Sequence, residues 1–344
     1  MAFYYPQDTP LELGPTGVIP GSHYYSTLEG AKTNENIPIC GEAGTVTIAN
    51  SDLWHGAMPN RTEKTRYMMK FLFVRMSEPQ SPSWNSKQVE WGNGGPIGDD
   101  KHQRMFERVW NWHCGKTSED LAKGCPTDKG SLSDLINGLE NNSEPTALSV
   151  AYALSEFGEA VVPALMKKLQ EASEIVRRNA FYALTAIGAP AVDALISVLN
   201  HSDWQVRNCA VKALADIGLS AQSCVPALIG ALQDESEQVR AHAAEALGRT
   251  AQQESTAVPA LIFALQDEND QVRRNTTFAL AQIGPYAKSA VDALQTAFSD
   301  ESRYVRGIAV HALHCIGTPE AQEILFRFFI KSRWCPLTSA KNTY

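Results

Sequence analysis

No two cysteines in this 344-residue chain stand in a C-x-x-C pair, and their number, seven, is odd. That suggests neither a disulfide framework nor a structural zinc site, and a reducing, cytoplasmic setting is expected. Basic charge is also short: 30 Lys and Arg stand against 38 Asp and Glu, a net charge of −8. Such a balance argues against broad nucleic-acid or membrane-surface binding, though a local basic patch stays open. No stretch approaches the ~18 apolar residues of a membrane span. The first residues lack the basic and apolar regions of a secretory signal. The chain is long enough for two domains with real cores.

The second half repeats itself. Val176-Arg177, Val206-Arg207, Val239-Arg240, Val272-Arg273 and Val305-Arg306 recur at steps of 30, 33, 33 and 33 residues. About fourteen residues before each pair lies an apolar theme such as "CVPALIGAL" or "AVPALIFAL". Each unit therefore reads as two helices, the first opened by Pro or Asp, the second closed by a glycine that supplies a left-handed C-cap. Neither helix buries its apolar face alone, so the units must stack. The pattern resembles HEAT repeats of a short, alanine-rich type over roughly residues 130–328, with a degenerate unit from Pro145 to Gly158. In four units the Arg follows a turn acid (Asp203, Asp234, Asp267, Asp300), and these pairs are expected to tie neighbouring repeats together.

Counted from that Arg, positions three, six and seven on are Ala or Thr, Ala, and Leu, which reads as core. The fifth column varies: Tyr182, Lys212, Glu245, Phe278, His311. The second varies too: Asn179, Cys209, His242, Asn275, Ile308. Both columns fall on one side of a helix, away from the packed stripe. They line up into a candidate protein-binding surface, and a plain solvated face is the alternative.

The first half reads as antiparallel strands, notably "AFYY", "GTVTIAN" (residues 44–50) and "RYMMKFLFVRM" (residues 66–76). A Pro/Ser/Gly-rich stretch follows, then a closing helix near residues 101–115 whose Trp110 and Trp112 are expected to cap the β core. The segment "SDLWHGAMPNRTEKTRYMMKFLFVR" sets His55 on a strand and Arg66 eleven positions on. With "ELGPTGVIPGSHYY" upstream, it resembles the C-terminal half of a phytanoyl-CoA dioxygenase-like enzyme over about residues 2–76.

That resemblance implies a double-stranded β-helix that binds Fe(II) and 2-oxoglutarate and hydroxylates a small organic substrate. His55 matches the distal histidine ligand, and Arg66 the residue that grips the far carboxylate of 2-oxoglutarate; a guanidinium fork suits a carboxylate. His23 is not a ligand in this mapping and shapes the pocket or caps a turn. The family's H-x-D or H-x-E motif is absent, leaving one metal ligand of three, so tight iron binding is not expected. The reading expects the missing strands and ligands upstream of Met1. A truncated reading of an oxygenase is favoured over a product that has lost catalysis and kept its solenoid.

The expected fold class is α+β multidomain, a partial double-stranded β-helix (jelly roll) followed by an α-solenoid. The expected divisions are 1–78 β-piece, 79–128 linker and closing helix, 129–330 solenoid and 331–344 tail. Two functions compete: an Fe(II)/2-oxoglutarate hydroxylase portion carrying an interaction domain, or a non-catalytic scaffold with a vestigial oxygenase piece. Similarity to the HEAT units of phycobilin lyases is a third reading and rests on repeat type alone.

Overall fold

The computed structural model describes residues 1–25, 27–28, 35–73, 79–82, 91–92, 103–116, 131–171, 173–252 and 254–333. They fall into two compact units, 1–121 with 141–149, and 122–140 with 150–344. Trp84, Cys125 and Cys335 lie outside the described residues.

The first unit contains two three-stranded antiparallel sheets. In one, β1 (Ala2–Tyr4) runs between β4 (Val46–Ile48) and β6 (Met69–Phe71); in the other, β2 (Thr16–Val18) runs between β3 (Ile37–Ile39) and β5 (His55–Ala57). Each strand is three residues long, and among the described residues of the run expected over 66–76 the strand is Met69–Phe71. Residues directly opposite in register share a face. Phe3 stands opposite Thr47 and Lys70, and these point toward the second sheet; Met1, Phe3 and Tyr5 make its small core with Ile39, Ala49 and Met68. The other face of this sheet carries Val46, Ile48, Met69 and Phe71, all exposed, Ile48 by 83%. Helix α1 (Gln103–His113) sets Phe106 6.3 Å from the Tyr24 ring. Trp110 lies 6.1 Å from Trp91, whereas Trp112 is 40% exposed. Two positions on a helix are about 200° apart, so both indoles cannot face one side.

The second unit is built of helical hairpins. Helices α2 (Leu132–Gly138) and α3 (Glu144–Ser155) precede the regular pairs α4 (Val162–Leu169) and α5 (Glu174–Ile187), α6 (Val192–Ser197) and α7 (Trp204–Ile217), α8 (Val225–Ala231) and α9 (Glu237–Thr250), α10 (Val258–Ala264) and α11 (Asp270–Ile283), α12 (Val291–Thr296) and α13 (Arg303–Ile316), before α14 (Pro319–Arg333). Second helices open on Ser173, Asp203, Ser236, Asn269 or Ser302; Ser173, Asp203 and Asn269 accept backbone N–H bonds as N-caps. Pro163, Pro226 and Pro259 sit in the first turn of first helices, where a missing N–H costs nothing.

Of the terminating glycines, Gly317 takes the expected left-handed conformation, at φ 68° and ψ 11°, and three others do not. Gly188, Gly218 and Gly284 have φ of 79°, 67° and 60° but ψ near −130°, close to a region essentially restricted to glycine rather than the left-handed helical one. The sharper turn feeds each second helix directly into the short 3-10 segment that opens the next hairpin. Trp204–Ala231 is apolar enough, at a mean hydropathy of 1.3, to pass a membrane-span criterion. It is α7 and α8 joined by a 3-10 turn that bends at Gly218 and Ala221, not one straight helix.

The columns three, six and seven residues after each Arg are buried in all five units, and one continuous apolar core runs through the hairpins. Arg207, Arg240 and Arg273 each grip an aspartate 27 residues on with Nε and Nη2: Asp234 at 2.7 and 2.8 Å, Asp267 at 2.8 and 3.0 Å, Asp300 at 2.8 and 3.1 Å. Arg177 departs from this geometry, meeting Asp203 at 3.2 Å and Gln205 at 2.6 Å. His201 explains the departure: it occupies the place, three residues before the second helix, where the later turns carry Asp.

Candidate functional site

Two places gather the residues singled out above. The first lies between the two sheets. In register with Val18, His55 faces inward; its ring meets Phe3 edge-on at 5.5 Å. Nδ1 lies 2.7 Å from the Leu53 carbonyl oxygen. A carbonyl only accepts, so Nδ1 carries the proton and Nε2 presents its lone pair. That lone pair accepts a hydrogen bond from the Lys70 ammonium at 2.8 Å.

A backbone-anchored Nδ1–H orients Nε2 as it does in metal sites. The nitrogen a metal would take is nevertheless held by a cation, and no group of three or more His, Cys, Asp or Glu suited to a metal occurs among the described residues. The residues present do not fit an iron ion.

They fit an anion better. Arg66 shares the alternation of Met68 and Lys70, and its Nη1 is buried with no hydrogen-bond partner. The Tyr5 and Thr16 hydroxyls are buried and unpartnered in the same way. Unpaired buried polar atoms are costly, and these three side chains have unused capacity to bind acceptor oxygens. No hydrogen bond joins Arg66 to His55 among the described residues. His23 sits in a 3-10 turn at Ser22–Tyr24, its ring 3.9 Å from Tyr24. Sequence reasoning missed Lys70, Tyr5 and Thr16. The signal available for Lys70 was its spacing of four from Arg66 in an alternating run.

The second place is a groove of about 720 Å³ along the last repeats, lined by His242, Glu245, Asn275, Phe278, Ile308 and His311 among others. These are the second and fifth columns of three successive second helices. The columns are not equally open. Asn179 is fully buried and donates to the Leu139 carbonyl at 2.8 Å, and Asn275 donates to Ala241 at 2.9 Å. At Asn179, His242 and Asn275 the second column is thus a seam between stacked helices, because these side chains reach the preceding unit. Tyr182 is half-buried and packs against the core, whereas Phe278 stands 44% exposed and Lys212 and His311 face solvent.

Most groove charges are spoken for. Glu245 pairs with Arg249 at 2.7 Å, Glu237 accepts from Asn269 at 2.8 Å, and the Arg274 guanidinium lies 5.2 Å from the Tyr304 ring centroid. Burial, with the Lys212 charge, lowers the His242 pKa, so its imidazole is neutral near pH 7; Nδ1 donates to Asn208 at 2.7 Å. What remains for a ligand is an aromatic ring, the Ile308 side chain and the His311 imidazole.

Comparison with known proteins yields two family matches. Residues 3–68 match phytanoyl-CoA dioxygenase, and residues 192–277 and 258–334 match HEAT repeats. The chain therefore carries a phytanoyl-CoA dioxygenase-like segment followed by HEAT repeats. No curated protein matches. Among solved structures, the complex of CpcE and CpcF of phycocyanin lyase from Nostoc sp. PCC7120 is 23% identical, over 44% of this chain and 98% of that one, with a TM-score of 0.40. A designed armadillo repeat protein in complex with the peptide (KR)4 is 20% identical, over 55% of this chain and 100% of that one, also at 0.40.

Proposed function

We propose that this chain acts as an interaction scaffold whose solenoid groove holds a segment of a protein partner, while its β-unit does no iron chemistry. The observation that carries the reading is Phe278, an exposed aromatic at the centre of a three-repeat groove whose charges are already paired. A large aromatic there contributes nothing to the core and offers the anchor that interfaces favour. The paired charges argue for a polypeptide with an apolar side chain over a polyanion. Among the described residues, free cysteines at Cys40, Cys209, Cys224 and Cys315 support work in a reducing, cytoplasmic setting.

Random dodecapeptides displayed on phage and selected on the full chain test this. Selected peptides should lose binding to the Phe278→Ser/His311→Ser double variant while its melting temperature stays within about 2 °C of the parent. Peptides that bind the variant as well as the parent would sink the groove assignment.

A second reading is favoured by the family match over residues 3–68 and the unpartnered Arg66 Nη1. The β-unit would bind the carboxylate of 2-oxoglutarate, or a related small acid, as part of an Fe(II)-dependent hydroxylase of a small organic substrate. Arg66 would grip the carboxylate and the Tyr5 and Thr16 hydroxyls would donate to it. The Lys70 contact on His55 weighs against the metal half of this reading.

A further inference from the structure

One charge in the solenoid groove is held on different terms from the rest. Glu245 is paired with an arginine and Glu237 with an amide. The Arg274 guanidinium instead rests on a ring, 5.2 Å from the Tyr304 centroid, and no carboxylate pairs with it among the described residues. A ring face attracts the charge but supplies no oxygen to the planar N–H fork. The Tyr304 side chain is itself held: its hydroxyl accepts from Arg303 Nη2 at 2.9 Å, and the Arg303 guanidinium lies 4.9 Å from its centroid. Arg274 is thereby positioned with its N–H donors unspent, so less freedom is lost when an acceptor arrives.

The neighbouring repeats make room for that acceptor. Arg274 directly follows Arg273 of the arginine–aspartate ladder, and the corresponding residues of the repeats before and after are Ala241 and Gly307. All three line the groove. A Cβ on Gly307 would meet nothing within 4 Å, so the α13 backbone there is open to a ligand. Four residues on from Arg274, one turn along the same face of α11, stands the exposed Phe278. At a rise of about 1.5 Å per residue the two are ~6 Å apart along the helix. Alternate residues of an extended chain, which share a face, are about 6.6 Å apart.

We propose that the groove selects an extended peptide segment carrying an Asp or Glu two positions from an apolar residue, with the carboxylate on Arg274 and the apolar side chain on Phe278 and Ile308. This specificity rests on the groove holding a polypeptide, as read above, and adds the chemistry of that polypeptide. Glu237 and Glu245 line the same groove and set its limit. One guanidinium matches one carboxylate, whereas a phosphate or a run of acids would also meet the two glutamates.

Dodecapeptides selected from a random phage library on the full chain, then synthesised with a fluorescein label, serve as probes in anisotropy titrations. The selected set should be enriched in Asp or Glu two places from Leu, Ile, Val, Met or Phe. Binding should weaken about tenfold with Arg274→Gln, the size expected of a charge-assisted hydrogen bond. Replacing the peptide's acid with its amide should cost as much, and the two losses should not add, because they remove one contact. Gly307→Glu sets a competing carboxylate in the open place, and should weaken binding similarly without lowering the melting temperature, since Glu is the better helix former. Peptides that need Phe278 and His311 but are indifferent to Arg274→Gln overturn this specificity and leave the groove reading standing. Peptides indifferent to all three, or a selection that yields none, overturn both. A dimer of the chain in sedimentation equilibrium that Arg274→Gln dissolves also overturns the proposal, since a second copy would then be the occupant.

Discussion

Replacing Arg240 with Ala is expected to cost about 2–4 kcal/mol of stability, far more than a surface ion pair is worth. Both partners of this rung are nearly buried, with 13% of the Arg240 and 12% of the Asp267 side chain accessible. The variant strands Asp267 with only the Asn269 backbone N–H, at 2.9 Å, to satisfy it. Because repeats touch only their neighbours, the loss falls on one interface, and the melt should broaden or split. Burial pushes the Asp234, Asp267 and Asp300 carboxyls up, but hydrogen bonds from arginine and from backbone N–H, together with arginine charge, outweigh it and leave all three below the ordinary range. A depressed folded-state pKa gives stability that is present above the unfolded value, about 3.9, and is lost as pH falls through the folded one. Melting temperature should therefore drop steeply below about pH 4. Arg240→Ala should shallow that drop, since its aspartate no longer titrates low. A parent and variant that lose stability in parallel on acidification would contradict the ladder's role.

Gly248→Val should cost about 2–3 kcal/mol, the size of an overpacking strain. Gly248 lies in α9, and a Cβ there would meet Gln282 Oε1 at 2.3 Å and the Ala279 Cα at 2.8 Å. The glutamine end can swing aside, but the backbone of α11 cannot, so the two helices must part. Gly230 in α8 is the control: a Cβ there meets nothing within 4 Å. Gly230→Ala should stabilise by about 0.5–1 kcal/mol through helix propensity alone. Urea midpoints measure both, and a Gly248→Val protein as stable as the parent would show that α9 and α11 are not in close contact.

The solenoid was legible because its signal is periodic: the Val-Arg pair marks each second helix, and the Ala, Ala and Leu columns that follow are buried in every unit. The second column was not legible as a seam. Whether a position two residues after the arginine meets solvent or the neighbouring hairpin depends on how closely the helices stack, which one helix's periodicity does not contain; buried Asn179 makes the point. Gly317 was legible in place and conformation, whereas Gly188, Gly218 and Gly284 were legible in place only, because a positive φ leaves ψ open. In the β-unit, His55 and Arg66 could be picked out by their residue types and spacing. Lys70 could not, since a lysine in a strand reads as solvated until the facing sheet is in place. The register that brings Lys70 to His55 is a property of two sheets, and each contributes strands from distant parts of the chain.

We propose a partner-holding solenoid and a β-unit without iron chemistry, and anaerobic Fe(II) equilibrium dialysis of the full chain tests that division most directly. With Lys70 seated on the only nitrogen of His55 that could take a metal, the account predicts no saturable binding at micromolar iron. Stoichiometric micromolar binding that His55→Ala abolishes would contradict it and return the β-unit to the centre of the protein's function.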